Sequence, residues 1–287
     1  MIMKSFQSSK VSTALALKAV ITGCIALSIG TQASAAEFDV TKALRIGIAN
    51  EPPVTELKAD GSLSGAGPDV DRAALEQSGF TKFEAQVMPY GAMIPALQAG
   101  RVELVSAGGL NITPERCKQV IYSEPVICGE QGLLVRADSE NVASYKDVVA
   151  KSLRIGVAAG GTQSKDAVAA GVPQENILVY PDGPSAIKML QNKRIDAIPL
   201  YTYALEDLKK RSGDESLKVI PMVGMPMDCA AASFKKSDVA LRDAYNTGLA
   251  KLKASGEFVK IMAKYGMEGQ AQTALRAKPT AETCVQK

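Results

Sequence analysis

Two stretches of this chain nearly repeat one another, "MIPALQAGRVELV" at residues 93–105 and "AIKMLQNKRIDAI" at 186–198. Ile94, Leu97, Gln98, Arg101, Val102, Glu103 and Val105 fall opposite Ile187, Leu190, Gln191, Arg194, Ile195, Asp196 and Ile198. Each stretch reads as an amphipathic helix that turns into a strand. Upstream, "ALRIGIANEPP" at 43–53 is echoed by "SLRIGVAAGGT" at 152–162, both short β-rich runs ending in turn residues. A unit of strand, helix, strand, helix, strand is therefore present twice. Alternation of this kind implies mainly parallel sheets flanked by helices, and two copies imply two α/β lobes.

The second copy ends near residue 200, yet β-rich "AAASF" and further helices follow. The economical topology has the chain leave the first lobe near Val126–Cys128 and return near Pro226–Cys229. Lobe 1 is then 36–126 with 229–287, and lobe 2 is 127–228. Two crossings make a hinge, and a ligand belongs between such lobes, outside the carboxyl ends of their strands. The helices fit this plan. "GPDVDRAALEQSG" carries Pro68 near its start and Gly79 as a stop, and "SDVALRDAYNTGLAKLKASG" puts Leu241, Tyr245, Leu249 and Leu252 on one face. A last amphipathic helix is expected around Phe258, Ile261, Met262 and Tyr265, ending at Gly266.

Residues 1–35 read as a secretory signal peptide. Lys4, Lys10 and Lys18 precede an uncharged "AVITGCIALSIG", and Ala33 and Ala35 are the small residues before the cut. An uncleaved anchor and a lipid attached at Cys24 are the alternatives. The leader's three lysines account for the whole basic excess of 33 Lys and Arg over 30 Asp and Glu. The mature chain is thus charge-balanced, and with no Trp it offers neither a phosphate-binding face nor a stacking platform for nucleic acid. Histidine is absent altogether, which removes Ser-His-Asp triads, Cys-His dyads and histidine metal sites. The four mature cysteines, Cys117, Cys128, Cys229 and Cys284, have no C-x-x-C spacing and read as two disulfides with three possible pairings.

Two segments sit where strands should open onto the cleft. After "ELVSAGG", the run "LNITPERCKQV" makes Thr113, Pro114 and Glu115 a helix start with Arg116 in its first turn. Arg116 is either a solvated helix charge or a guanidinium that grips a carboxylate bidentately. In the second copy "GVAAGGTQS" places Thr162 and Gln163 where a phosphate-binding loop needs Lys and Ser or Thr, so nucleotide binding is not expected. The segment is either a plain glycine turn or a nest of N–H groups from Gly161 to Ser164 facing the same anion as Arg116.

"LRIGIANEPP", "PYGAMIPALQAGRVELVSAG", "ITPERCKQV" and "LRDAYNTGLAKL" resemble the polar-amino-acid class, family 3, of periplasmic substrate-binding proteins that feed ABC importers. The likeness spans essentially all of the mature chain. "ITPERC", "AAGVP" at 169–173 and the terminal "TAETC" look like the ectoine/hydroxyectoine-binding branch. The resemblance implies a type 2 periplasmic binding protein: a periplasmic, monomeric receptor with its cleft at the hinge. It implies a permease partner, no cofactor, no metal and no catalysis.

By that resemblance Arg116 and the amides near Thr113 hold the ligand carboxylate, which the nest including Gly161, Thr162 and Gln163 would share, and Gly109 offers a carbonyl to the cationic side. Members that bind α-amino acids place an Asp after the strand of the second copy; here that position is most nearly Tyr201, which argues against an ordinary α-ammonium. Glu51 and Tyr90 match an acid-and-aromatic cage for a delocalised cation, supplemented by Tyr201. Val54 and Asn111 stand roughly where the branch has two further rings, so a different compact zwitterion, or a polar amino acid, is the alternative ligand. Asn111 also opens a formal glycosylation sequon, though its place in the cleft argues against a glycan there. Cys128 and Cys229 fall at the two crossings, which should run side by side, and Cys117 with the tail Cys284 would fasten the C-terminus to lobe 1, so the expected pairs are Cys128–Cys229 and Cys117–Cys284. The competing class is a periplasmic dehydratase on the same scaffold, resembling cyclohexadienyl dehydratase, with Glu51 as its acid.

Overall fold

A computed structural model describes residues 39–285. The expected leader, its cut near Ala35 and Cys24 lie outside these residues. The chain opens with β1 (Leu44–Ile48), a small hairpin of β2 (Glu56–Leu57) and β3 (Leu63–Ser64), then α1 (Ala66–Glu76), β4 (Phe83–Val87) and α2 (Tyr90–Gln98). β5 (Leu104–Asn111), the short α3 (Pro114–Cys117), β6 (Val120–Tyr122) and β7 (Ile127–Gly129) follow. A second series runs β8 (Gln131–Arg136), α4 (Tyr145–Ala150), β9 (Ile155–Ala158), α5 (Thr162–Ala169) and β10 (Ile177–Tyr180). It continues through α6 (Gly183–Gln191), β11 (Ala197–Tyr201), α7 (Thr202–Ser212) and β12 (Leu217–Pro221). The chain then closes with β13 (Asp228–Lys235), α8 (Val239–Ser255), α9 (Glu257–Ala263), α10 (Glu268–Leu275) and α11 (Thr280–Val285).

Two sheets form. The first has the order β4-β1-β5-β13-β6 with β7 also on β13, and the second β10-β9-β11-β8-β12. The trios β4-β1-β5 and β10-β9-β11 are parallel and built from the two halves of the repeat. Both sheets are more mixed than the repeat suggests. β13 runs antiparallel to β5, β6 and β7, and β8 antiparallel to β11 and β12. The reason is topological: β8 and β13 are the strands by which the chain passes from one sheet to the other, and each enters its new sheet from the cleft side. The outward passage lies at Glu130, a little beyond the expected place, because Ile127–Gly129 still pairs with β13.

The repeat owes its shape to local chemistry. In both copies the helix ends at Gln98 or Gln191, and the next residue but one turns the chain left-handed: Gly100 at φ 66° and Lys193 at φ 55°. Only glycine adopts that conformation without a Cβ penalty. Gly100 therefore suits its turn, while Lys193 is strained in the equivalent one. Lys193→Gly is expected to stabilise the protein by up to about 1 kcal/mol, read as a raised urea midpoint with unchanged slope.

Leu241, Tyr245, Leu249 and Leu252 of α8 are buried as their spacing predicts. They pack with Val70, Ala74 and Leu75 of α1 under the first sheet. The helices meet so closely that a Cβ on Gly248 would lie 1.9 Å from the Ala74 carbonyl oxygen. Gly248→Ala must push two backbones apart, with an expected loss of about 1–3 kcal/mol in denaturant unfolding.

The helix around Phe258 is not the last, since α10 and α11 follow it. α11 delivers Cys284 to Cys117 at the end of α3, Cα–Cα 5.7 Å. Cys128 and Cys229 stand opposite one another across the β7–β13 pair and form the second disulfide, Cα–Cα 4.1 Å. No helix among the described residues is long and apolar enough to cross a membrane.

Candidate ligand-binding site

The carboxyl ends of β1, β5, β9 and β11 converge between the sheets, and the loops that leave them enclose a cavity of about 30 Å³. From the first sheet's side come Glu51, Tyr90, Gly109, Asn111 and Arg116; from the second come Gly161, Thr162, Gln163 and Tyr201. Thr113 is not in the lining. Its hydroxyl oxygen caps α3 by accepting from the Arg116 N–H at 3.2 Å, which orients the helix that carries the guanidinium. Gly108, Leu200 and Tyr203 also line the cavity and were not foreseen. Tyr203 had a signal, standing two residues after Tyr201 in "LYTYA". A larger chamber of about 620 Å³ lies alongside, sharing Glu51, Tyr90 and Leu200 as walls.

Glu51 marks one pole. It follows a left-handed Asn50 at φ 56°, and its carbonyl closes a turn by accepting from Val54 and Thr55 N–H groups at 3.0 Å. Its Oε2 accepts from the Tyr90 hydroxyl at 2.9 Å. Burial pushes the carboxyl up to about 7, against which the Tyr90 hydrogen bond pulls only part of the way back. Burial also raises the phenols of Tyr90, Tyr180 and Tyr203, and the Glu51 charge adds to each shift, so three rings are grouped around one carboxylate. Tyr203 stacks on Tyr201 with centroids 5.6 Å apart and planes within 7°. The aromatic wall thus comes from the second sheet's tyrosines rather than from position 54. Val54 is buried in the core of the first sheet, against Gly65 and Gly108.

Arg116 marks the other pole. Its guanidinium donates at 3.3 Å to the Asn111 carbonyl oxygen, and at 3.3 Å across the cleft to that of Gly160. Among the described residues no carboxylate lies within ion-pair distance of it. Gly161 precedes α5 and supplies no side-chain cap, so first-turn N–H groups of that helix are left without intrahelical acceptors beside the guanidinium. The Gly161 N–H itself is spent on the Ala158 carbonyl at 3.1 Å, which trims the expected nest to the residues after it.

The two sides touch directly. Asn111 Nδ2 donates to Thr162 Oγ1 at 3.2 Å, Lys165 pairs with Glu115 at 2.6 Å, and Arg211 pairs with Glu56 at 3.1 Å. Gly160, at φ 77°, lies so near Gly91 that a Cβ on it would stand 2.3 Å from the Gly91 nitrogen. No group of three or more His, Cys, Asp or Glu among the described residues could hold a metal ion.

Comparison with known proteins agrees with this architecture. A probable amino-acid ABC transporter periplasmic-binding protein, y4tE, of Sinorhizobium fredii (strain NBRC 101917 / NGR234) is 33% identical over 278 residues, covering 93% of this chain and 92% of that protein. The crystal structure of EhuB in complex with hydroxyectoine superposes with a TM-score of 0.81 at 41% identity, covering 86% of this chain and 96% of that one. An ancestral arginine-binding protein bound to glutamine superposes with a TM-score of 0.69 at 27% identity, over 78% and 97%. The sequence profile of the bacterial extracellular solute-binding proteins, family 3, matches residues 44–268, from β1 through the first residue of α10. With two lobes around a polar cleft and a match across most of its length, the chain belongs to the bacterial extracellular solute-binding proteins of family 3.

Proposed function

We propose that this solute-binding protein takes up a compact zwitterion of the ectoine and hydroxyectoine type in the periplasm and hands it, as a monomer, to the permease of an ABC importer. One observation carries the reading: the cavity lining contains a single acid, Glu51, and a single base, Arg116, at its two poles. A zwitterion is the ligand that neutralises both. Its carboxylate meets the Arg116 fork and the amino end of α5, and its delocalised cation meets Glu51 beneath the faces of Tyr90 and Tyr203. EhuB, crystallised with hydroxyectoine, is the relative that supports this ligand class over the amino acids. The two sides are bridged over the cavity by Asn111–Thr162 and Arg116–Gly160 hydrogen bonds, so entry requires the lobes to part. The exposed pairs Glu115–Lys165 and Glu56–Arg211 are worth little each and do not resist that opening.

The expected lobes, 36–126 with 229–287 and 127–228, differ from the sheets only at 127–129 and Asp228, which pair in the first sheet, and export is directed by the leader. The protein binds rather than transforms its ligand, since the cavity pairs its one carboxylate with no second acid. Titration calorimetry of the mature, oxidised protein with ectoine and hydroxyectoine, against glutamine, arginine and glycine betaine, is the test. Submicromolar binding of the first two is the expected result. Tighter binding of glutamine or arginine would move the protein to the amino-acid receptors, and turnover of prephenate or arogenate would make it an enzyme.

A further inference from the structure

Asp228, Tyr201, Asn111 and Thr162, beside the cavity, form one continuous run of hydrogen bonds, and Gln131 joins it as a donor shared between Asp228 and Asp166, the latter at 3.0 Å. Asp228, the first residue of β13, accepts from the Tyr201 hydroxyl at 3.0 Å and from Gln131 Nε2 at 3.3 Å. The Tyr201 oxygen accepts from Asn111 Nδ2, and the same nitrogen donates to Thr162 Oγ1 at 3.2 Å. Tyr201, Asn111 and Thr162 line the cavity; Asp228 stands behind them.

The direction of every bond follows from the Asp228 end. A carboxylate facing two donors only accepts, so Tyr201 spends its one proton on Asp228 and leaves its oxygen as an acceptor. Asn111 must then present its NH₂ rather than its carbonyl, which settles an amide orientation that heavy-atom positions alone leave open. The two N–H bonds of that group go to Tyr201 and Thr162. Thr162, having accepted, keeps its own proton free, and Thr162 and Arg116 line the same small cavity.

We infer that Asp228 is a positioning residue. Through Tyr201 and Asn111 it aims the Thr162 hydroxyl at the ligand as a donor, and so makes the Arg116 pole select a carboxylate over the neutral carboxamide of the same molecule. Position 111 therefore sets hydrogen-bond polarity where a ring would only supply a wall. This inference rests on the zwitterion reading above.

Calorimetry with ectoine and its carboxamide tests it; should ectoine not bind, glutamine and its carboxamide are the probe pair. Asp228→Asn is expected to lower carboxylate affinity about tenfold, because the new amide can donate to Tyr201 and reverse the run. Carboxamide affinity should stay within about twofold. In a Thr162→Val background the Asp228 substitution should have no further effect on the preference, as coupled partners require. Equal losses for both ligands, or a tenfold effect that persists without the Thr162 hydroxyl, would overturn the assignment. Should Asp228→Asn not fold, Tyr201→Phe keeps the ring stacked on Tyr203 and carries the same prediction. Arg116→Ala separates the two levels. If it abolishes binding while Asp228→Asn leaves the preference unchanged, the relay alone is wrong. If it too has no effect, or if neither probe pair binds the unmodified protein, the zwitterion reading has failed and the relay with it.

Discussion

Arg116→Ala is expected to weaken binding of a carboxylate-bearing solute by about 2–5 kcal/mol, roughly 30- to 4,000-fold. The loss is large because two groups are stranded at once. The ligand carboxylate is buried without its countercharge, and the first-turn N–H groups of α5 with the Thr162 hydroxyl are left to hold it alone. The effect on folding should be small, since the guanidinium makes only two 3.3 Å bonds, both to backbone carbonyls. Thermal unfolding of the free protein is thus expected to move little while calorimetric affinity collapses. Arg116→Lys should fall between, as it keeps the charge but loses the bidentate fork. An affinity within about threefold of the unmodified protein, under about 0.7 kcal/mol, would place the carboxylate elsewhere.

Glu51→Gln is expected to act with opposite signs on stability and on binding. The carboxyl ionises near 4.5 in the ordinary case and at about 7 in the folded protein, so between those values the folded state holds a proton that the unfolded chain has lost. Its contribution is fully present below about 4.5 and is lost as pH rises through 7. At pH 8 the unliganded protein therefore carries a buried, ionised Glu51 at a cost on the order of 3 kcal/mol. Gln removes that cost, keeps an oxygen for the Tyr90 hydroxyl, and should raise the melting temperature at pH 8 but not at pH 4.5. Asp71, buried and pushed up to about 6 by desolvation against the hydroxyls of Ser106 and Tyr245, adds a slope of the same sign in both proteins.

Binding runs the other way. A ligand cation placed at Glu51 favours the ionised form, so association below pH 7 should release a proton. Calorimetric enthalpies would then depend on the ionisation enthalpy of the buffer, and affinity should fall by up to about tenfold per pH unit below 7. Glu51→Gln should bind weakly, with no buffer dependence. A variant that still binds ectoine at full strength would show that the cation is held elsewhere, and an unchanged pH–stability profile would show that Glu51 is not the group being discharged.

The doubled architecture was legible in the chain because helix and strand periodicity are short-range properties. Spacings of three, four and two residues placed Leu241, Tyr245, Leu249 and Leu252 on a buried face and marked β1, β5, β9 and β11 as strands ending at a cleft. Absent histidine and balanced charge narrowed the chemistry before any coordinate was needed. Arg116 stood out by its place in the first turn of the helix after a strand, whereas Glu51 and Tyr90 were named through the family resemblance.

What only the tertiary structure decided are contacts between positions far apart in sequence, which no local pattern encodes. The mixed character of the sheets depends on how β8 and β13 enter them. Tyr203 and Tyr180 become an aromatic wall only because β10, β11 and α7 are packed against the loop after β1. The Thr113 hydroxyl serves the backbone of its own helix, a use that only the folded turn decides. Asp228 reaches Asn111 through Tyr201 only because the strand that returns across the hinge begins beside β11. The sequence by itself determined the elements and the residue types available at the cleft. Packing decided which of them meet, because side-chain distance is set by the burial of two whole sheets and not by separation along the chain.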